Sequence, residues 1–335
     1  MGRMLRGAAS VVLICSIASA APAHAATTRT DRQRAFAAGR YLVASQSPNG
    51  SFAGFSPVGS TADAVLDLVA LGRGTTPLRD ALGFLRRQVR KGEVDTIGLQ
   101  AKVALAVDAA GGDPTSFGGT DLLSEITDTY RPSGRFGTAA VLDQALAILA
   151  LRSAGVALNL KAATWLANAQ CPDGGWQYDR PYRAGEDRHC IDRSTPNDFF
   201  GSDSNTTAYA IMALQGLATP AHDPFAFLDG IRDRRPGPGR GGWGFTWGFR
   251  TTDANSTALV LQAYAAAGTA VPLGGVAALR RLQYPCGAVA YSWRKGARTG
   301  RDLGAAIGAI LGFLHVPLPV TGSVTGNLAK SACAG

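Results

Sequence analysis

The stretch QCPDGGW, residues 170–176, ends a helical run at Gln170, turns through Pro172, Asp173, Gly174 and Gly175, and places a tryptophan directly behind the turn. The plan recurs along the chain. SPNGSF (47–52), RPSGRF (131–136) and GRGGWGF (239–245) each follow a glycine turn with an aromatic. YPCGAVAYSW (284–293) is a looser copy, and RQVRKGEV (87–94) keeps the glycine but has lost the aromatic. A glycine turn fixes where the chain reverses, and the large side chain behind it needs a buried place. Six such turns therefore constrain the chain to a repeat architecture.

What flanks each turn is as regular. After it comes a small-residue helix: STADAVLDLVALG, DTIGLQAKVALAVDAAG, TAAVLDQALAILALRSAG, DSNTTAYAIMALQGLA, DANSTALVLQAYAAAG and DLGAAIGAILGFL. Several open on Asp or Ser beside Thr or Asn, side chains that satisfy orphan N–H groups, and several stop at glycine. Alanine and leucine occupy nearly every face, which predicts burial on more than one side. Before the turns stand DRQRAFAAGRYLVASQ, LRDALGFLRRQ, LKAATWLANAQ, PFAFLDGIRD and GVAALRRLQ, where charge and apolar residues alternate at helical spacing. These predict half-exposed outer helices. Two helices per unit, six times over, predict an all-α fold: an (α/α)6 toroid of six helical hairpins, with an inner ring, an outer ring and one long inserted loop.

The Q-x-x-x-G-x-W pattern at 170–176, preceded by AATWLANAQ, resembles the repeat of squalene–hopene cyclases and protein prenyltransferase β subunits. DANSTALVLQAYAAAG (253–268) resembles the toroid of bacterial relatives of transcobalamin and intrinsic factor. The resemblance spans about Arg32 to Leu318. It implies an α/α toroid whose mouth is lined by the N-terminal ends of the inner helices. The motifs of its catalytic branches are missing: there is no D-x-D-D or D-D-x-x-D run, no Asp-x-Cys zinc pair (CPD at 171–173 reverses that order) and no G-C-G-E-Q thioester.

The candidate site residues follow from that mouth. Aligning the inner helices on their small-residue cores puts Asp63, Leu99, Asp143, Thr206 and Ser256 at one position, with Gln100, Gln144, Thr207 and Thr257 beside it. From these, Asp63, Gln100, Asp143, Gln144, Thr206 and Thr257 are expected to bind ligand, together with Trp247 and Phe249 of WGFTWGF (243–249). Asp63 and Asp67 stand four apart on one helix face, so they could share a proton and supply an acid of raised pKa. The possible catalytic acids are thus Asp63, Asp67 and Asp143; the rival reading makes them caps and inter-helix hydrogen bonders. Trp176 and Trp243 are expected to pack between outer helices.

Residues 1–25 read as a signal peptide, with two arginines, an apolar core and a small-x-small end at Ala25. The toroid domain is then 26–320 and the tail 321–335. Without Arg3 and Arg6 the formal charge falls from +9 to +7, and the basic residues are scattered, with no nucleic-acid motif. The apolar run 303–320 is broken by His315, Pro317 and Pro319, so no membrane span is expected after cleavage. Four cysteines remain, and an even number in an exported chain favours two disulfides, with proximity pairing Cys171 with Cys190 and leaving Cys286 for Cys333. The insertion 178–203 holds Asp187, His189, Asp192 and Asp198; a stapled, solvated loop is preferred over a metal site, because paired C-x-x-C or H-x-x-H spacing is missing.

Two classes of function follow. The first is a secreted or cell-envelope monomer, non-catalytic and without cofactor or metal, binding an apolar or corrinoid-like small molecule in the toroid mouth. The second is a cyclase-type enzyme with a rearranged carboxylic acid. An envelope scaffold binding a protein or glycan is a third. Fold alone does not choose among them.

Overall fold

A computed structural model of the chain describes residues 28–72, 76–178, 190 and 201–323. Within them the chain forms six helical hairpins. The outer members are α1 (Arg29–Ala44), α3 (Thr76–Arg90), α5 (Leu122–Thr127), α7 (Leu160–Asn168), α9 (Pro224–Ile231) and α11 (Gly275–Leu282). The inner members are α2 (Pro57–Ala70), α4 (Ile97–Ala109), α6 (Val141–Ser153), α8 (Ser204–Leu214), α10 (Ala254–Ala266) and α12 (Leu303–Leu314). Each inner helix packs on the next, and α12 packs on α2, so the inner ring closes. The fold is the expected all-α toroid.

The inner helices start and stop where the sequence dictates. Asp203, Asp253 and Asp302 cap α8, α10 and α12 by accepting from the backbone amides of Thr206, Ser256 and Ala305, each at 2.7 Å. Ser56 and Thr96 cap α2 and α4 in the same way. The first five inner helices run into a left-handed glycine, from Gly72 to Gly268, whereas α12 ends on His315 at φ 54°. Their alanines (Ala62, Ala104, Ala147, Ala210, Ala258, Ala309) are buried to 1 % or less, which lets neighbouring backbones approach closely.

The glycine-aromatic turn is the joint between units. Trp176 and Trp243 are fully buried, and their indole N–H groups donate to Leu166 O and Leu228 O of the preceding outer helix at 2.8 Å. Phe52 and Phe136 fill the same place in their units, and Val94 fills it in the copy that lacks an aromatic. Five of the six turn glycines need their left-handed backbone and their bareness together, whereas a Cβ at Gly92 would meet nothing. At Gly174 (φ 90°) a Cβ would stand 2.7 Å from Asp223 O at the start of α9. Gln170 clamps the same joint, donating to Gly174 O and His222 O while accepting from His222 N.

Short antiparallel pairs brace the loops, including Trp176–Gln177 with Ser202–Asp203. Cys171 and Cys190 form a disulfide, as their proximity led one to expect. Its sulfurs are therefore unavailable as thiolate ligands, which removes Cys190 from the zinc reading. Cys286 is also disulfide-bonded, and Cys333 lies outside the described residues. So do the 1–25 segment and Asp187, His189, Asp192 and Asp198. Among the described residues no helix is long and apolar enough to cross a membrane. Beyond α12 the chain folds back over the C-terminal ends of the inner helices, where Leu318 donates its N–H to Met212 Sδ at 3.4 Å and Val320 is buried.

Candidate functional site

Inside the ring lies a cavity of about 330 Å³ to which all six inner helices contribute. Its floor is Leu318, and Phe55, Ser56, Asn205, Asn255 and Gly304 stand at the N-terminal ends of the inner helices, on the expected mouth side. Leu66, Leu142, Leu259, Ile307 and Leu311 supply apolar wall; Asp63, Asp67, Lys102, Tyr209 and Gln262 supply polar groups.

Hydrogen bonding at the turns reveals the true register of the helices. Thr61, Gln144, Thr207 and Thr257 each accept from the backbone N–H of the residue behind the glycine turn: Phe52, Phe136, Trp176 and Trp243, all at 3.0 Å. Thr61 is therefore level with Gln144, Thr207 and Thr257, and Asp63 stands three residues deeper in the ring than the position of Asp143. The alignment on alanine and leucine placed the two aspartates together because an almost uniform apolar helix has no feature that fixes its phase. The layer that contains Asp63 holds Lys102, Tyr209, Leu259 and Gly308, and these converge on the cavity.

Lys102 Nζ grips both oxygens of Asp63, at 2.7 and 3.0 Å. Burial works against the ammonium, but the charges of Asp63, Tyr209 and Asp143 and the Asp63 hydrogen bond outweigh it, so the Lys102 pKa is raised. One turn below, Asp67 is only 1 % exposed. Burial pushes its pKa well above the ordinary carboxylate range, the Asp63 charge adds to that, and the Leu311 amide opposes it. Burial likewise raises the Tyr209 pKa, with Lys102 pulling it back. The two carboxyls of the Asp-x-x-x-Asp pair thus separate in character: Asp63 is ion-paired and Asp67 favours its neutral form. Asp67 Oδ2, Asn255 Oδ1 and Gln262 Oε1 are buried without a hydrogen-bond partner.

The other expected site residues make contacts within the scaffold. Gln144 also donates to Gly134 O and Ala162 O, and Thr257 donates to Trp243 O. Gln100 donates to Glu125 of α5 at 3.2 Å, and the buried Thr206 takes the Asp203 cap through its backbone. Asp143 lies against Gly98, where a Cβ would overlap its carboxylate. Trp247 packs over Gly230, meets Phe227 edge-on at 6.3 Å and is covered by Arg250. Phe249 is 56 % exposed, and neither it nor Trp247 lines the cavity. Gln144, Thr207 and Thr257 in the first turns fasten the repeat joint, while Asn205, Asn255 and Gly304 of the same turns face the cavity. Lys102, Tyr209, Asn205, Asn255 and Gln262 were missed. A lone lysine in an otherwise apolar inner helix is a signal that was readable, since such a charge needs a partner.

The sequence matches no protein-family model and no curated protein. Solved structures with the same fold do match. The α-1,6-mannanase GH76A of Salegentibacter sp. HEL1_6 superposes with a TM-score of 0.55 at 12 % identity, covering 85 % of this chain and 98 % of that one. Type II terpene cyclase MstE of Scytonema gives 0.53 at 12 % identity, over 85 % of this chain and 98 % of its own. A protein from Actinoplanes gives 0.54 at 15 % identity, with coverages of 85 % and 98 %. At such identities the likeness speaks for the architecture: this chain has the α/α-toroid fold.

Proposed function

We propose that this protein is an exported, non-catalytic binder that holds a small amphiphilic molecule in the central cavity of its toroid. One observation carries the reading: three buried oxygens without partners, on Asp67, Asn255 and Gln262, line the cavity that also holds the Asp63–Lys102 pair. Unpartnered buried polar atoms are costly and uncommon, and a ligand is one way to satisfy them. The aliphatic wall of Leu142, Leu259 and Ile307 suits the apolar part of such a molecule. A cavity of about 330 Å³ suits a ligand smaller than a corrinoid, and the proposal is narrowed to such ligands. The disulfide supports the export part of the reading. The test is native mass spectrometry of protein purified from the medium of a producing culture. A retained mass lost in Leu259→Trp supports the reading, and a bare protein that binds nothing from a culture extract counts against it.

Asp67 favours a second reading. A carboxyl kept neutral by burial beside an aliphatic wall is what a proton-donating cyclase needs, and one structural neighbour, MstE, is a terpene cyclase. Turnover of a polyprenyl substrate by the wild type, abolished in Asp67→Asn, would establish it in place of simple binding.

A further inference from the structure

We propose that the polar end of the ligand is a hydroxyl-rich ring, a single sugar or cyclitol, seated on a bare backbone wall of α12 between Asp67 and Gln262. The inference rests on the cavity being a ligand site and names the chemistry of its occupant. Helix α12 lies between α2 and α10 in the inner ring, and it presents Gly304 and Gly308 to the cavity. A Cβ at Gly308 would stand 2.6 Å from Asn255 Oδ1, so the wall stays bare if Asn255 is to keep its place. The recess is flanked by Asp67 on one side and by Asn255 and Gln262 on the other.

The flanking groups specify the complement. Gln262 is 3 % exposed, and its amide nitrogen donates to Ala258 O, which leaves Oε1 as the free end. Asp67 Oδ2 and Asn255 Oδ1 are likewise oxygens without a partner. The two amide oxygens only accept, and a neutral Asp67 carboxyl both donates and accepts, so the occupant must bring several groups of hydroxyl type at once. A hydrocarbon would leave all three oxygens unpaired, at roughly tenfold or more in affinity for each. A cation would face Lys102 across the cavity, and an anion would face Asp63. A neutral polyol avoids both repulsions. Its O–H groups donate to the orphan oxygens, its lone pairs accept from Lys102 and the Asn255 amide, and its C–H face lies on the glycine wall and Ile307. The volume accommodates one ring with a short extension.

Saturation-transfer NMR on the full secreted chain tests this with methyl α-D-mannopyranoside, methyl β-D-glucopyranoside and myo-inositol as polyol probes and geraniol as the apolar probe. At least one polyol is expected to give saturable transfer, weakened at least tenfold in Gln262→Leu and lost in Leu259→Trp. The Gln262→Leu protein should unfold at the wild-type temperature or above it, which separates lost binding from lost fold. Saturable binding of geraniol with none for the polyols would overturn the sugar assignment and leave the cavity reading standing. Polyol binding that survives Leu259→Trp, or no binding of either class, would overturn both.

Discussion

Arg280 in α11 donates from Nε and Nη2 to the two carboxylate oxygens of Asp31 in α1, both at 2.6 Å, across 249 residues of chain. This fork is the outer latch of the ring. Beside it Gln283 donates to Arg34 O, and a Cβ on Gly287 would overlap Ala37 O, so the last turn docks on the first outer helix as the turns at Gly50, Gly134, Gly174 and Gly241 dock on the next.

Arg280→Met leaves the Asp31 carboxylate, 1 % exposed, without its cation. A fully buried pair broken this way costs about 3–5 kcal/mol. Water reaches Arg280, which is 31 % exposed, so about 2–3 kcal/mol is expected here. Urea unfolding measures it, and pairing the change with Asp31→Leu should recover most of the loss. A change under about 0.5 kcal/mol would mean that the latch is decorative.

The turn joint makes a second prediction. Trp176→Ala empties a fully buried site and should destabilise by about 3–5 kcal/mol. Thr207→Val removes the acceptor of the Trp176 backbone N–H and should cost about 1–2 kcal/mol, while Thr207→Ser should cost less. Because both act on one joint, the double variant should lose less than the sum. Additive losses would contradict a single clamp.

The fold was legible in the sequence because the joints leave local marks: a positive-φ glycine at all six, a buried aromatic behind four of them, and a side-chain cap on most of the inner helices that follow. Helix α5 escaped notice, since six residues are too few to show a helical period. The site was half legible. Asp63 and Asp67 were found as a carboxylate pair and do line the cavity. Their partners Lys102, Tyr209 and Gln262 come from three other inner helices, and their convergence depends on ring closure and helix phase. Local patterns carry neither.

The Asp63–Lys102 pair makes a third prediction. Lys102→Met leaves the Asp63 carboxylate without its cation; water reaches both partners, 22 % and 34 % exposed, so the variant should lose about 1–2 kcal/mol at neutral pH. Asp63→Asn with Lys102→Met should restore most of it, because both charges then leave together. Thermal and urea unfolding of the single and double variants settle the sign of the coupling.

The last prediction is the pH dependence of stability, where two groups of buried residues pull in opposite directions. Burial would raise the pKa of Asp31 and Asp233, but bonds from Arg280 and Thr28 to the first, and from Arg235 to the second, bring both below their ordinary value. A lowered carboxylate pKa stabilises the fold above about pH 4 and is lost as pH falls through the folded value. Burial pushes the caps Asp203 and Asp253 up to about 7, against the amide bonds they accept, and pushes Asp67 up as well. A raised carboxylate pKa gives stability that is complete below about pH 4 and is lost as pH rises through the folded value. His315 opposes these three: burial lowers its pKa, so its contribution is lost as pH falls below about 6.5. Three protons against one decide the slope. Stability should fall as pH rises from about 5 to about 8, with a limiting slope of about 1.4 kcal/mol per pH unit for each net proton. Asp203→Asn and Asp253→Asn keep a capping side chain but remove the titration, so each should flatten the fall. Urea unfolding at the two pH values checks it, and a wild-type protein that gains stability toward pH 8 would show that the amide bonds and helix N-termini hold these caps ionised.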